Sequence, residues 1–220
     1  MASPSKTYRG IPATLTLDAA AEWVRPRNSS KRFAHIEGVA LAAKQIALEA
    51  AVDPFLAELA GWLHDACKEM KDRDLVKEAK NFGLKLHPIE EENGHLLHGP
   101  VAAETVKRDL NITDELFLDS IREHTLGNVP MTDLSKVVFL ADCLDENRPE
   151  DYTKPIWHAL RHGYYKFKKP DDMHVDLDAA VLVACESGLV FLLESHKAIH
   201  PKTVDVRNYL LDIMRERGSN

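Results

Sequence analysis

The chain has 220 residues, 45% of them apolar and 29% charged, a globular balance that excludes intrinsic disorder and allows a sizeable buried core. With 35 acidic against 28 basic side chains the formal net charge is -7. No global basic field therefore gathers nucleic acid or an anionic membrane, and a phosphate-bearing ligand has to be held by a few placed cations or a metal.

Read in chain order, MASPSKTYRG has no apolar signal-peptide core, so residues 1–13 are expected to form a loose tail ahead of a single domain over 14–220. Apolar residues recur at helical spacing through most of that domain, and alternating Val/Ile/Thr runs are nearly absent. The expected fold is all-α, a bundle of about eight or nine helices. The first covers about Leu17 to Arg25 and is stopped by Pro26; the second covers about Ser30 to Ala50, capped by Asn28, Ser29 or Ser30. Asp53-Pro54 supplies a cap and a first-turn proline for a third helix reaching His64. A fourth, capped by Asp72, ends near Gly83, and LKLHPIEEENGHLL then reads as a loop long enough to act as a lid. Helices resume near Gly99 to Asp109, Thr113 to His124 and Thr132 to Leu144. The segment 151–174 reads as an insertion with one short helix and a basic group, Lys166, Lys168 and Lys169. Two closing helices are expected over about Asp176 to Ser195 and Thr203 to Arg217. The most apolar stretch, AAVLVAC followed by GLVFLL, is interrupted by Glu186 and too short on either side to cross a bilayer. Three cysteines, Cys67, Cys143 and Cys185, lack C-x-x-C spacing, which argues against a disulfide framework and for a reducing cytoplasm.

The residues that carry chemistry stand out by placement. Asp142 follows Val137, Val138, Phe139, Leu140 and Ala141, where a carboxylate is costly to bury without a partner such as a metal ion. The pair His64-Asp65 likewise emerges from the apolar run Leu59 to Leu63. Imidazoles with carboxylates and no thiolate suit iron, manganese, cobalt or zinc rather than calcium. His35, His64, Asp65 and Asp142 form one candidate ligand set, with room for a second metal that shares Asp65 and takes His98 and His124. Arg32, Lys68 and Arg148 are spaced to grip phosphate oxygens, and the Thr125 hydroxyl adds a neutral donor. The free imidazole titrates near working pH, so His98 and His124 are also candidates for proton transfer. Taken singly, each has a plainer reading: an H-D dipeptide arises by chance, a helical histidine is often a satisfied core residue, and a lone cation is usually solvated.

In order along the chain, His35, His64-Asp65 and Asp142 resemble the H…HD…D signature of the HD-domain superfamily of metal-dependent phosphohydrolases. The strings RFAHIEGVALAA, AGWLHDACK, LLHGPVAAE, IREHTLGNVPMTDLSKVVFLADCLDENR and AIHPKTVDVRN are similar to its YqeK-like branch, the bacterial symmetric bis(5'-nucleosyl)-tetraphosphatases. The resemblance implies a helical fold and a di-iron or other dimetal centre with His35, His64, Asp65 and Asp142 as ligands. It also implies cleavage of diadenosine tetraphosphate to two ADP. By the same matches Arg32, Lys68, His98, His124, Thr125 and Arg148 would contact nucleotide and phosphate, Asp65, Lys68, His98 and His124 would take part in catalysis, and the segment 196–201, with Lys197 and His200, would wall the base or ribose. The partner implied is a nucleotide with a phosphate chain, not nucleic acid or a membrane, and a homodimer is compatible with the pattern. Departures are Ala102 in HGPVAAE, Leu126 in HTLG and the string ADCLDENR. Rival expectations are another nucleotide substrate (mono-, tri- or cyclic) on the same metal site, and a sensor that binds without catalysis.

Overall fold

Capping residues and apolar periodicity place the helix ends, and the resulting computed structural model describes residues 7–145, 148–165, 167–171 and 173–218. Helix α1 (Leu17–Val24) is capped by Thr16 and runs into a 3-10 turn at Arg25–Arg27, where Pro26 ends the regular helix. Ser29 caps the long α2 (Ser30–Glu49). Asp53 accepts from the Phe55 and Leu56 amides and, with Pro54, starts α3 (Pro54–Leu63). In α4 (Asp72–Asn81) the N-cap is Lys71 rather than Asp72; Asp72 and Asp74 lie in the first turn, where a carboxylate meets the positive end of the helix dipole.

The segment expected to be a loop contains α5 (Pro88–Glu92) and a 3-10 turn at Gly94–Leu97. Five residues carry no helical period, and what fixes α5 is local: Glu90 accepts the His87 amide at 2.7 Å and His87 Nδ1 accepts the Ile89 amide at 3.2 Å. Next come α6 (His98–Leu110), ended by the left-handed Asn111, α7 (Glu115–Arg122) and α8 (Asp133–Cys143). The expected insertion holds α9 (Glu150–His162) and a two-residue antiparallel ladder, β1 (Gly163–Tyr164) with β2 (Phe167–Lys168). Lys166 lies outside the described residues. Helices α10 (Leu177–Glu194) and α11 (Pro201–Arg217) close the chain. The fold is all-α as expected, with eleven α-helices among the described residues instead of eight or nine.

Two apolar clusters lie on either side of a central layer formed by α2, α3 and α8. Phe33, Ile36, Ala40, Leu59, Leu63 and Val138 belong to one, which takes in α1, α6 and α7. Val39, Ala43, Ile46, Val137 and Leu140 belong to the other, which takes in α9, α10 and α11. A helix buried on both sides needs small residues where its neighbour crosses. Gly61 marks that crossing, since a Cβ there would lie 2.6 Å from the Ala40 Cα. Residues 7–13 are not loose: Tyr8 stacks on Phe55 with ring centroids 4.9 Å apart, its hydroxyl donates to Asp53, and Ile11 is buried in the core. Residues 1–6 lie outside the described part. No helix among the described residues is long and apolar enough to cross a membrane.

Candidate metal centre

The crossing of α2 and α3 sets His35 beside His64-Asp65, the start of α6 contributes His98, the end of α7 leads into His124, and α8 delivers Asp142. His64, Asp65, His98 and His124 are each at most 2% exposed, so every unpaired polar atom there is costly.

The imidazoles share one arrangement. His64 Nδ1 lies 2.6 Å from the Gly61 carbonyl, His124 Nδ1 2.8 Å from that of Ile121, and His98 Nδ1 bonds that of His95. A carbonyl only accepts, so each Nδ1 carries the proton and each Nε2 presents a lone pair. His35 follows the same rule with a carboxylate in place of the carbonyl: its Nδ1 is 2.7 Å from Asp145 Oδ2. All four Nε2 atoms point inward on the two oxygens of Asp65. Oδ2 is 3.7 Å from His35 Nε2 and 3.6 Å from His64 Nε2. Oδ1 is 3.3 Å from His98 Nε2 and 3.5 Å from His124 Nε2. Asp142 Oδ1 stands 3.2 Å from His35 Nε2 on the first of these two sides.

These groups fit a metal. His35 Nε2, His64 Nε2 and Asp65 Oδ1 are buried and make no hydrogen bond, which is costly for protein alone. Donor atoms about 2.1 Å from one cation lie roughly 3.0–3.4 Å apart in tetrahedral or octahedral surroundings, close to the spacings here. His35, His64 and Asp142 converge within 4.8 Å of one another, as do His64, Asp65 and His124. On the second side His98 Nε2 and His124 Nε2 are 2.9 Å apart, two lone pairs that need a cation or a donor between them. The Lys68 ammonium, 3.1 Å from His98 Nε2, and the Thr125 hydroxyl, 3.1 Å from both rings, stand there.

Electrostatics keep His64, His98, Asp65 and Asp142 in their ligating forms. Burial pushes His64 down to about 4, and burial, with the nearby His124 and Lys68, lowers His98, so both rings are neutral at pH 7. Burial alone would raise Asp65 and Asp142, but the imidazoles around Asp65 and the His35 contact to Asp142 outweigh it, and both carboxyls lie well below the usual range. His35 differs: the carboxylates of Asp142 and Asp145 beside it outweigh burial and raise its pKa, so a cation bound at Nε2 displaces a proton.

The cations expected near phosphate surround this cluster. Arg32 Nη1 is 3.0 Å from Asp65 Oδ2, and Arg148 Nη2 is 3.5 Å from Asp142 Oδ1. Lys31, Arg32, His35, Asp145 and Arg148 line an adjoining cleft of about 530 Å³. Lys197 and His200 are placed otherwise. Lys197 Nζ sits over the Phe191 ring at 5.2 Å. His200 caps α11, packs edge-on against His87 and turns its Nε2 towards Glu90 Oε1 at 3.5 Å. The His200 contacts tie the start of α11 to α5, and Lys197 packs on α10. Sequence reasoning missed Asp145; its signal is a second carboxylate behind an apolar residue, three positions after Asp142.

Comparison with known proteins agrees with this architecture. The sequence model of the HD domain matches residues 32–147, the stretch holding His35, His64, Asp65, His98, His124 and Asp142. A protein of Halalkalibacterium halodurans named "Bis(5'-nucleosyl)-tetraphosphatase, symmetrical" is 30% identical over 87% of this chain and 95% of its own length. A protein of the same name from Bacillus subtilis is 28% identical over 88% of this chain and 97% of its own. A crystal structure of a predicted HD superfamily hydrolase involved in NAD metabolism from Clostridium acetobutylicum superposes with a TM-score of 0.79 at 25% identity, covering 90% of this chain and 98% of that one. With the matched region spanning the whole inward-facing set of imidazoles and carboxylates, the chain belongs to the HD-domain family of metal-dependent phosphohydrolases.

Proposed function

We propose that this protein hydrolyses dinucleoside polyphosphates, cleaving diadenosine tetraphosphate symmetrically to two ADP. The observation that carries the reading is Asp65, whose two oxygens each face a separate pair of histidine Nε2 atoms, so that it could serve as a ligand on both sides. The names of the relatives that span nearly their full length supply the nucleotide. His35, His64, Asp65 and Asp142 would hold one metal ion, and Asp65, His98 and His124 the other, with iron the expected metal and manganese, cobalt or zinc able to occupy the same donors. When bound, such ions supply a deprotonated water near neutral pH and neutralise phosphate charge.

The chain's own part is orientation and charge. Arg32 and Arg148, already beside the two carboxylates, release towards an arriving phosphate chain and bind its oxygens in a fork. Lys68 and Thr125 donate from the His98 side to the oxygens that gain charge as the P–O bond breaks. ADP is a fair leaving group, so stabilising its developing charge does most of the work and no strong general acid is required. With their Nδ1 protons committed to carbonyls, His98 and His124 serve better as ligands than as proton donors. The test is product analysis of the metal-loaded protein on diadenosine tetraphosphate. ADP as sole product is expected; AMP with ATP would exclude symmetric cleavage, and turnover restricted to mono-, tri- or cyclic nucleotides would move the protein to another substrate class.

A further inference from the structure

Three of the four imidazoles in the centre rest their Nδ1 on a neutral carbonyl, and one rests it on a charge. Asp145 is 3% exposed and lies just beyond α8, with its Oδ2 2.7 Å from His35 Nδ1. Asp142, three residues earlier, faces the other nitrogen of the same ring at 3.2 Å. The His35 ring is therefore gripped between two carboxylates with its orientation fixed: Nδ1 donates to Asp145, and Nε2 faces the centre. A carboxylate behind an imidazole strengthens it as a ligand and locks its plane, and outer partners of this kind matter nearly as much as the ligands. Room for the carboxylate comes from α2 itself. Three positions after His35 stands Gly38, where a Cβ would come within 3.3 Å of Asp145 Oδ1.

We infer that Asp145 is a positioning residue that acts through His35, setting how tightly the half of the centre built from His35, His64, Asp65 and Asp142 holds its cation. The inference rests on the proposed metal centre. It makes the two halves unequal: the first has a charged outer partner, while the second has neutral carbonyls behind His98 and His124 and the Lys68 ammonium beside them.

The test needs no substrate. Full-length protein loaded with Mn(II) is challenged with a graded chelator, and released Mn(II) is read from its electron paramagnetic resonance signal. Asp145→Asn keeps the shape and an acceptor but removes the charge, and should weaken retention by about 10–100-fold. Asp145→Glu keeps the carboxylate and should stay within about threefold of wild type. Gly38→Ala displaces the carboxylate without changing its charge; it should fall between these two, and it carries the test if the Asn variant does not fold. An Asn variant within about twofold of wild type, or equal losses in the Asn and Glu variants, overturns the inference while leaving the metal reading intact. Wild type that retains no Mn(II) overturns both.

Discussion

At the scale of single residues, the centre is governed by what burial does to imidazoles. His64 is fully buried, and its pKa falls to about 4 from the ordinary 6.5. An unfolded chain binds the His64 proton below pH 6.5 and the folded one only below about 4, so the folded state loses stability as pH falls through that window and regains it as pH rises. The contribution is about 3 kcal/mol between pH 7 and pH 4. Urea unfolding of metal-free protein at both pH values should show this loss, and His64→Leu should flatten it; an unchanged slope in the variant would place the effect elsewhere. The same burial argument made His64, Asp65 and Asp142 legible in the sequence, because ionisable groups set in apolar runs need partners. Asp145 was not legible as a partner of His35, since 110 positions separate them and no spacing rule reaches that far. Lys197 and His200, carried over by resemblance, lie against Phe191 and against His87 and Glu90 respectively, contacts that no spacing in the sequence announces.

At the scale of elements, the crossing of α2 and α3 brings His35 to His64, and Gly61 sets how closely the two helices approach. An added Cβ would stand 2.6 Å from backbone of Ala40 and cannot be relieved by turning a side chain. Gly61→Ala should therefore destabilise the protein by about 2–3 kcal/mol and weaken metal retention as well, because the helices part where the ligands meet. Denaturant unfolding together with metal content checks both; loss of stability with full retention would mean the ligands are held independently of the crossing. Long helices with strong caps, such as α2 behind Ser29, α3 behind Asp53 and α8 behind Thr132, could be read from sequence to within a residue or two. The five-residue α5 could not, because it has no period to show and depends on the His87–Glu90 pairing. The tail over 7–13 looked loose because its anchors, Phe55 and Asp53, belong to another helix start.

At the scale of the whole molecule, α2, α3 and α8 belong to both apolar clusters, so the layers on either side share one support. We expect residues 14–220 to unfold as a single cooperative unit, and metal to raise its stability by mass action. At a free metal concentration 100 times the dissociation constant the gain is about 2.7 kcal/mol, roughly 5–10 °C in Tm for a chain of this size. Calorimetry with and without chelator should give one transition that shifts; two transitions, or one that does not move, would contradict this. The carbonyls that aim His64, His98 and His124 lie three residues back in the chain, whereas the bond that aims His35 comes from far downstream. Synthesis runs from the N-terminus, so a ribosome-bound chain extending only just past Thr125 contains every local tether and Asp65 but neither Asp142 nor Asp145. It holds every proposed ligand but Asp142, and α8, the last helix of the matched region, supplies that one.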